Sequence, residues 1–252
     1  MDKDKLKEFW LSEEKMDFSG WDFSHITDRI SDEMLPWNYK ETVLSYMKSA
    51  NTILDMGTGG GEFLISLNPP RGRTYATEAY PVNFELCNKT LPNYGIDVRQ
   101  VFNDEDLPFD DCFFDLVLNQ HESFSSQELF RLLKPGGIFI TQQVGGQNNR
   151  ELSKLLLGKD PNVIDSNFSL QSTEKELSNA GLVISEGKEY FPFRKFYDVG
   201  ALVYYAKIIE WEFPDFSVES CFEELCQLQE KIESDGYIET IGHRFLVVGY
   251  KN

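Results

Sequence analysis

The chain has 252 residues, of which 41% are hydrophobic and 14% aromatic, and its 24 basic and 42 acidic side chains give a formal net charge of −18. This composition is typical of a globular protein with a sizeable core and excludes an intrinsically disordered chain. The acidic excess, with no Lys/Arg cluster, argues against a nucleic-acid partner, because binding a phosphate backbone requires a basic face.

No apolar run approaches the roughly 20 residues of a membrane-spanning helix, and the N-terminal segment mixes charged with aromatic residues, unlike a secretory signal. We therefore expect a cytoplasmic protein without a membrane segment. The four cysteines and three histidines are scattered without the close spacing of a zinc site. The sequence therefore predicts no metal, and it does not indicate an oligomeric state.

Residues 1–50 are predicted to form amphipathic N-terminal helices. From residue 51 onward, short β-rich runs alternate with helical ones; the β-rich runs are TILDMG, RTYATEAY, IDVRQVF, FFDLVLNQ, GIFITQQVG and LVISEGKEY. Ser125 with Glu128, and Thr173 with Glu176, have the spacing of a capping box, so a helix is predicted to begin at each place.

This alternation of strands and helices predicts an α/β fold with a Rossmann-like parallel sheet and helices on both faces. We expect a single domain over residues 1–252, with N-terminal helices (1–50), a core (51–192), a helical insertion over the sheet edge (193–236) and the last strand (237–252). The final segment could be a strand pair or one long strand bent at Gly242. Ligands of such sheets bind beyond the carboxyl ends of the strands, beside the first strand.

The first strand leads into a glycine-rich loop, ILDMGTGGGEFL, in which Asp55, Gly57, Gly59 and Gly61 are spaced as D-x-G-x-G-x-G. The dinucleotide fingerprint G-x-G-x-x-G does not fit, because its sixth position is Glu62. A carboxylate at the strand end repels a pyrophosphate and attracts a cation. The loop therefore favours a positively charged ligand without phosphates.

This loop resembles motif I of the class I S-adenosylmethionine-dependent methyltransferases. Three further segments agree in order: Glu78 at the end of the second strand, residues 101–122 (VFNDEDLPFDDCFFDLVLNQHE) and residues 129–140 (LFRLLKPGGIFI). The resemblance covers roughly residues 53–145 and is nearest to the ubiquinone/menaquinone-type methyltransferases and their small-molecule relatives. It implies a seven-stranded methyltransferase sheet.

The resemblance also implies S-adenosylmethionine as the cofactor. It assigns cofactor binding to the residues that follow the strands, namely Asp55, Gly57, Thr58, Gly59, Gly61, Glu78, Ala79, Asn103, Asp104, Asn119 and Gln120. Asp55 would engage the methionine ammonium, Glu78 would accept both ribose hydroxyls, and either Asn103 or Asp104 would bind the adenine amino group.

Methyl transfer depends mainly on positioning, and a base is needed only if the acceptor must lose a proton. The candidate base is His121, just past the fourth strand, with Glu122 as an orienting partner. The alternative is that His121 is a loop residue or contacts the substrate without proton transfer.

A small-molecule acceptor is expected, because NQHE after the fourth strand lacks the two prolines of methyltransferases that act on nucleic-acid amino groups. Gln143 (or its neighbour Gln142) and Tyr204 are candidate acceptor contacts. Tyr205 and the pair Trp37 and Tyr39 could line an aromatic pocket, although core packing is the stronger interpretation for these aromatic residues.

Two other functions remain open. One is a dehydrogenase that uses NAD(P), which Glu62 and the adenine-loop resemblance oppose. The other is a module that binds the cofactor without transferring a methyl group. The sequence does not identify the acceptor or decide whether O, N or C is methylated.

Overall fold

The computed structural model describes residues 2–18, 23–48, 50, 52–161 and 165–252. The chain forms two compact units. The α-rich unit contains residues 1–35, 145–168 and 190–244, and the sheet unit contains residues 36–144, 169–189 and 245–252. The assignment of one domain with an insertion at 193–236 stays a prediction.

The described helices are, in chain order, α1 (Lys3–Glu14), a 3-10 helix (Ser24–Arg29), α2 (Tyr39–Met47), α3 (Glu62–Ser66), α4 (Pro81–Thr90), a 3-10 helix (Leu91–Tyr94), α5 (Ser126–Leu132), α6 (Arg150–Leu157), α7 (Leu170–Asn179), α8 (Val199–Ile208) and α9 (Phe222–Asp235). The described strands are β1 (Ile30–Asp32), β2 (Ile53–Met56), β3 (Thr74–Glu78), β4 (Ile96–Gln100), β5 (Phe114–Gln120), β6 (Leu133–Val144), β7 (Leu182–Tyr190), β8 (Phe193–Phe196), β9 (Ile238–Ile241) and β10 (Arg244–Lys251).

A seven-stranded sheet with the order β4-β3-β2-β5-β6-β10-β7 forms the framework of the sheet unit. The pairs β2–β3, β2–β5, β3–β4 and β5–β6 are parallel. All four residues of β2 are buried, as expected for a central strand covered on both faces. The predicted α/β fold with a Rossmann-like seven-stranded sheet is confirmed.

The order of the strands positions the functional site. Asp55 pairs with Leu118 on one side and with Ala76 on the other. The residues that follow β2, β3 and β5 therefore leave the sheet at the same edge, beside the central strand. This is the edge at which open α/β sheets bind their ligands.

A three-stranded antiparallel sheet, β1-β8-β9, belongs to the α-rich unit. The unit's core includes eight of the ten residues of α8, Val199 to Ala206, which are buried. Burial of this extent is expected for a helix whose sequence is apolar on nearly all sides. The N-terminal segment was predicted as helices, but it also contributes β1, because Ile30 and its neighbours pair with β8.

The two predicted helix starts had different outcomes. Ser125 caps α5, since its side chain accepts a hydrogen bond from the backbone N–H of Glu128. The start at Thr173 was wrong, because α7 begins earlier and Ser169 forms a capping box with Ser172. Thr173 instead lies buried inside the helix.

The C-terminal segment forms two strands, and each belongs to a different sheet. β9 joins the three-stranded sheet, whereas β10 joins the seven-stranded one. Neither option that the sequence left open is therefore correct, because the segment is two strands, interrupted at Gly242, that do not pair with each other. Within the described residues, we found no helix with both the length and the apolar character needed to span a bilayer.

Candidate cofactor site

The loop between β2 and α3 depends on glycine conformations. Gly57, Gly59 and Gly61 have φ angles of 63°, 62° and 83°. L-residues with a Cβ rarely adopt this left-handed region, so the spacing of the glycines follows from the path of the backbone. The loop begins directly after Asp55 and Met56 and ends at Gly61, where α3 begins.

The three glycines differ in what surrounds them. A Cβ at Gly57 would lie 2.5 Å from Glu122 Oε2, and a Cβ at Gly61 would lie 2.7 Å from a methyl carbon of Leu91. A Cβ at Gly59 would meet no atom within 4 Å. Gly59 therefore leaves an open stretch of bare main chain that a ligand can approach closely.

Asp55 is a buried carboxyl group at the carboxyl end of β2, with 4% of its surface exposed. Burial raises the pKa of Asp55 to about 7; the negative charge of Glu78 adds to this effect, and the nearby Thr58 side chain opposes it. Asp55 has no cationic partner among the described residues. A cationic ligand would therefore stabilise its charged form.

Glu78 ends β3 and is 7% exposed. Its Oε2 accepts a hydrogen bond from the backbone N–H of Gly59 at 2.7 Å, and its Oε1 accepts one from the N–H of Tyr80 at 2.8 Å. Each carboxylate oxygen has a second lone pair, so both can still accept hydroxyl groups of a ligand. The side chain thus fixes the glycine loop and retains binding capacity.

Cys87 on α4 holds the glycine loop from the other side. Its fully buried thiol donates to the carbonyl oxygen of Gly59 at 3.0 Å. Burial and the nearby negative charges of Glu78, Glu62 and Asp55 raise the pKa of the Cys87 thiol to about 11. The thiol therefore stays protonated at neutral pH and acts as a hydrogen-bond donor, not as a nucleophile.

The predicted adenine-loop residues lie after β4. The Asn103 side chain is exposed, and its Oδ1 accepts a hydrogen bond from the backbone N–H of Glu105 at 3.0 Å. Asp104 is half-buried, and its Oδ2 accepts a hydrogen bond from the Ser123 hydroxyl at 2.5 Å. Which of the two binds adenine stays a prediction, but the Ser123 contact links Asp104 to the loop after β5.

Asn119 is fully buried and lies at the centre of an amide network. Its Oδ1 accepts hydrogen bonds from Thr141 Oγ1 at 3.0 Å and Gln143 Nε2 at 2.6 Å, and its Nδ2 donates to the Ser123 carbonyl at 3.3 Å. Gln143 Nε2 also donates to the Glu122 carbonyl at 2.9 Å. This network fixes the loop after β5; the proposed ligand contacts of Asn119 and Gln143 stay predictions.

The side chains of Trp37 and Tyr39 cover the ends of β5 and β6. Trp37 Nε1 donates to Gln142 Oε1 at 2.8 Å, and the buried Tyr39 hydroxyl donates to the Asn119 carbonyl at 3.1 Å. Burial raises the pKa of Tyr39 well above its usual value, and the nearby charge of Asp55 adds to the shift. Gln120 is half-buried at the end of β5.

His121 directly follows β5, is exposed, and has a φ angle of 64°. Its backbone N–H donates to the Gln142 carbonyl at 2.9 Å. The chain therefore turns sharply where β5 ends, at the same sheet edge as the glycine loop. Thr58 and Ala79, the other two predicted cofactor contacts, follow β2 and β3 at this edge.

Tyr204, the second candidate for an acceptor contact, lies on α8 in the α-rich unit and is 3% exposed. Its ring packs 4.7 Å from the His25 ring and 6.5 Å from the Phe18 ring, measured between centroids. These contacts are those of a core residue. Its role with the acceptor stays a prediction.

The donor set fits S-adenosylmethionine, a cationic nucleoside. Two buried carboxylates, Asp55 and Glu78, flank bare main chain at Gly59, and neither has a cationic partner in the part of the chain that the structure describes. Uncompensated buried charges are costly, so a ligand that supplies positive charge and hydroxyl donors would satisfy them. The described residues contain no group of three or more His, Cys, Asp or Glu side chains arranged to hold a metal ion.

The comparisons with known proteins agree with this geometry. Residues 54–141 match the family model described as a methyltransferase domain. The solved structures that resemble the chain include the YcgJ protein from Bacillus subtilis, with a TM-score of 0.57, 17% identity, and coverage of 85% of this chain and 98% of that one. A comparison with curated proteins finds no match.

Two further solved structures have similar folds. A putative methyltransferase from Bacillus halodurans has a TM-score of 0.57 and 16% identity over 84% of this chain and 98% of that one. A geranyl diphosphate methyltransferase solved in complex with S-adenosylmethionine has a TM-score of 0.50 and 15% identity, and the match covers 84% of each chain. At such low sequence identities, the similarity to these structures supports a shared fold and not a shared function.

The family match, the order of the strands and the glycine loop together define residues 54–141 as a methyltransferase domain of the class I, S-adenosylmethionine-dependent type. The chain therefore contains a methyltransferase domain of the kind that uses S-adenosylmethionine.

Sequence reasoning missed two contributors to the site. Glu122 was considered only as a partner of His121, but its side chain packs against Gly57. Cys87 was considered only as one of four scattered cysteines without the spacing of a zinc site, but it donates to the glycine loop. No local pattern predicts either contact, since each residue lies about 30 or more positions away from the glycine that it contacts.

We expect Gly57→Ala to destabilise the protein in two separable ways. The positive φ angle costs about 1–2 kcal/mol for a residue with a Cβ, and the collision with Glu122 adds to this. Gly72→Ala is the matched control, because Gly72 has a φ angle of 72° and open space around its Cβ position. Urea unfolding should show a greater loss of stability for Gly57→Ala than for Gly72→Ala. Equal losses of stability would contradict the contact with Glu122.

Proposed function

We propose that the protein transfers a methyl group from S-adenosylmethionine to a small or medium-sized organic acceptor. The observation that supports this most directly is the pair of buried carboxylates at the ends of β2 and β3, on either side of a loop with positive φ angles. The formal net charge of −18 also favours a small acceptor over nucleic acid.

In this proposal the acidic residues at the strand ends and the glycine loop bind different parts of the cofactor. Asp55 binds the ammonium of the cofactor's amino-acid portion, Glu78 accepts the ribose hydroxyls, and the open main chain at Gly59 lets the nucleoside approach the backbone. Asn103 or Asp104 binds the adenine amino group. When bound, the cofactor supplies an activated methyl group on a positively charged sulfur, and the protein contributes orientation.

Calorimetric titration tests this assignment most simply. We expect S-adenosylmethionine and its demethylated product, S-adenosylhomocysteine, to bind, and NAD to bind at least about 100-fold more weakly, because Asp55 and Glu62 oppose a pyrophosphate. Tight NAD binding without a response to the other two ligands would instead support a dehydrogenase. If the protein binds S-adenosylmethionine but forms no labelled product from broad metabolite pools and a labelled methyl donor, a binding module without transfer activity would be favoured.

The proposed general base is His121, and His121→Asn is the appropriate variant. Asparagine tolerates a positive φ angle better than most residues, so the backbone turn at φ 64° should be preserved. If His121 removes a proton from the acceptor, kcat/KM should fall by about 100-fold or more with little change in cofactor affinity. Activity within about threefold of wild type, measured with an acceptor identified from the pools, would exclude this role.

The proposed acceptor is a small organic molecule. The resemblance to ubiquinone/menaquinone-type methyltransferases favours a small organic molecule, with Gln143 and Tyr204 as candidate contacts. We propose no preference among O, N and C as the methylated atom. The expected cytoplasmic location also stays a proposal.

A further inference from the structure

Glu122 brings a third carboxylate against the glycine loop. Its Cγ and Oε2 both lie 2.5 Å from the position that a Cβ of residue 57 would occupy. Glu122 thus packs directly on the bare main chain of Gly57, at the edge of the sheet where Asp55 and Glu78 also lie. The absence of a Cβ at residue 57 makes room for this carboxylate.

The position of Glu122 is fixed by its neighbours. Its carbonyl accepts a hydrogen bond from the buried Gln143 at 2.9 Å, and its Oε1 accepts one from the backbone N–H of Ser123 at 3.2 Å. Within the described part of the chain, its Oε2 accepts no hydrogen bond. One oxygen is therefore anchored, while the oxygen nearest Gly57 keeps its lone pairs for another group.

The electrostatic surroundings of Glu122 are negative. Burial raises the pKa of Glu122, and the charges of Asp104 and Glu78 raise it further, while the hydrogen bonds from Ser123 oppose the shift. Like Asp55 and Glu78, it has no cationic partner among the residues that the structure describes. Positive charge bound in front of Gly57 would stabilise all three carboxylates.

The cofactor carries two positive charges, one on the ammonium of its amino-acid portion and one on the sulfonium. The proposed function assigns the ammonium to Asp55, which leaves the sulfonium without a counter-charge. We propose that Glu122 is the counter-charge of the sulfonium and makes the site prefer S-adenosylmethionine to S-adenosylhomocysteine. This inference rests on the proposed function, since it requires the cofactor to bind across the glycine loop.

The preference has a consequence for turnover. In methyl transfer, an electron pair of the acceptor forms a bond to the methyl carbon, and the pair of the broken carbon–sulfur bond stays on sulfur. The sulfonium thereby becomes a neutral thioether, and its attraction to Glu122 disappears. A site with this counter-charge therefore binds the substrate form of the cofactor and releases the product form more readily.

Calorimetry on the full-length protein tests the inference, with S-adenosylmethionine, S-adenosylhomocysteine and sinefungin as ligands of wild type and Glu122→Gln. Sinefungin carries an amine-bearing carbon in place of the methylated sulfur, so it also places a positive charge there. We expect Glu122→Gln to weaken the binding of S-adenosylmethionine and of sinefungin about tenfold or more. The binding of S-adenosylhomocysteine should weaken less than about threefold. The ratio of the affinity for S-adenosylmethionine to the affinity for S-adenosylhomocysteine should therefore fall.

Two variants provide the controls. Glu105→Gln removes a charge from the exposed acidic loop after β4 and should leave the affinity ratio unchanged. Glu122→Asp keeps the charge on a shorter side chain and should preserve more of the ratio than Glu122→Gln does. If Glu122→Gln does not fold by circular dichroism, Glu122→Ala serves instead and must lower the ratio in the same way.

The outcomes separate the two proposals. If Glu122→Gln loses affinity equally for all three ligands, Glu122 contacts a chemical group that the three ligands have in common, and this inference is overturned. Unchanged affinities would overturn it as well. If wild-type protein binds neither S-adenosylmethionine nor S-adenosylhomocysteine, the proposed function itself fails, independently of Glu122.

Discussion

Asp55→Asn should weaken S-adenosylmethionine binding by about 100-fold or more and, at the same time, make the ligand-free protein more stable at pH 8. The loss of affinity follows from removing a buried, charge-assisted contact with the ammonium of the ligand. The gain in stability follows from removing a buried charge that has no cationic partner among the described residues.

The expected pH dependence follows from the direction of the pKa shift. The carboxyl group of Asp55 has a pKa of about 7 in the folded protein, compared with 3.8 as its ordinary value. Its favourable contribution to folding is complete below pH 3.8 and is lost as the pH rises through about 7. The difference between the two pKa values corresponds to at most about 4 kcal/mol.

Urea unfolding of wild type and Asp55→Asn at several pH values measures this effect. We expect the free energy of unfolding of the variant to exceed that of wild type at pH 8 and the gap to close towards pH 4. In wild type, cofactor binding should also weaken as the pH falls below about 7, because Asp55 becomes protonated. A variant that is less stable than wild type at pH 8 would contradict the absence of a cationic partner.

Asp115→Asn is the matched control, because its effect on stability at pH 8 should be opposite to that of Asp55→Asn. Asp115 lies on β5, and its Oδ2 accepts hydrogen bonds from Lys134 Nζ at 2.8 Å and from the Thr52 hydroxyl at 2.6 Å. Although partial burial opposes the effect, these contacts lower the pKa of Asp115. The same substitution there should therefore reduce stability at pH 8.

Glu78→Gln should weaken S-adenosylmethionine binding by about 100-fold and also loosen the glycine loop. Both carboxylate oxygens of Glu78 accept backbone hydrogen bonds, from Gly59 and from Tyr80. Glutamine has one acceptor oxygen, so one of these N–H groups would face an amide donor instead. An unsatisfied buried donor costs about 1–3 kcal/mol, so the free energy of unfolding should fall by about that amount.

Calorimetry and urea unfolding measure the two effects of Glu78→Gln separately. Glu85→Gln on α4 is the control, since that side chain is largely exposed and its one ion pair among the described residues is with Lys89, at 4.0 Å. It should change neither affinity nor stability appreciably. Cofactor affinity within threefold of wild type in Glu78→Gln would exclude Glu78 from the ribose site.

Much of the fold could be predicted because its signals are local. The alternation of β-rich and helical runs is visible in the sequence, and it predicted the Rossmann-like sheet of the sheet unit. The Ser125 cap was also predictable, since it depends on residues three positions apart. The same reasoning failed at Thr173, because Ser169 and Ser172 form a competing capping box just before it.

Long-range pairing could not be predicted in this way. The strand pair β1–β8 joins Ile30 to Phe196. Nothing near Ile30 indicates a strand, because the partner that completes its hydrogen bonds lies more than 160 residues away in the sequence. For the same reason, β9 and β10 could not be assigned to different sheets.

The sequence by itself determined the class of the site: an acidic residue before three spaced glycines, followed by a second acidic residue at the next strand end. These residues predict the class of site from the sequence because the conformational freedom of glycine and the charge of a carboxylate do not depend on the rest of the fold. Only the tertiary structure decided that Asp55 has no cationic partner among the residues described, that the Asn119 and Gln143 amides bind each other, and that Glu122 packs on Gly57. Burial and packing depend on residues that the fold brings together from distant parts of the chain.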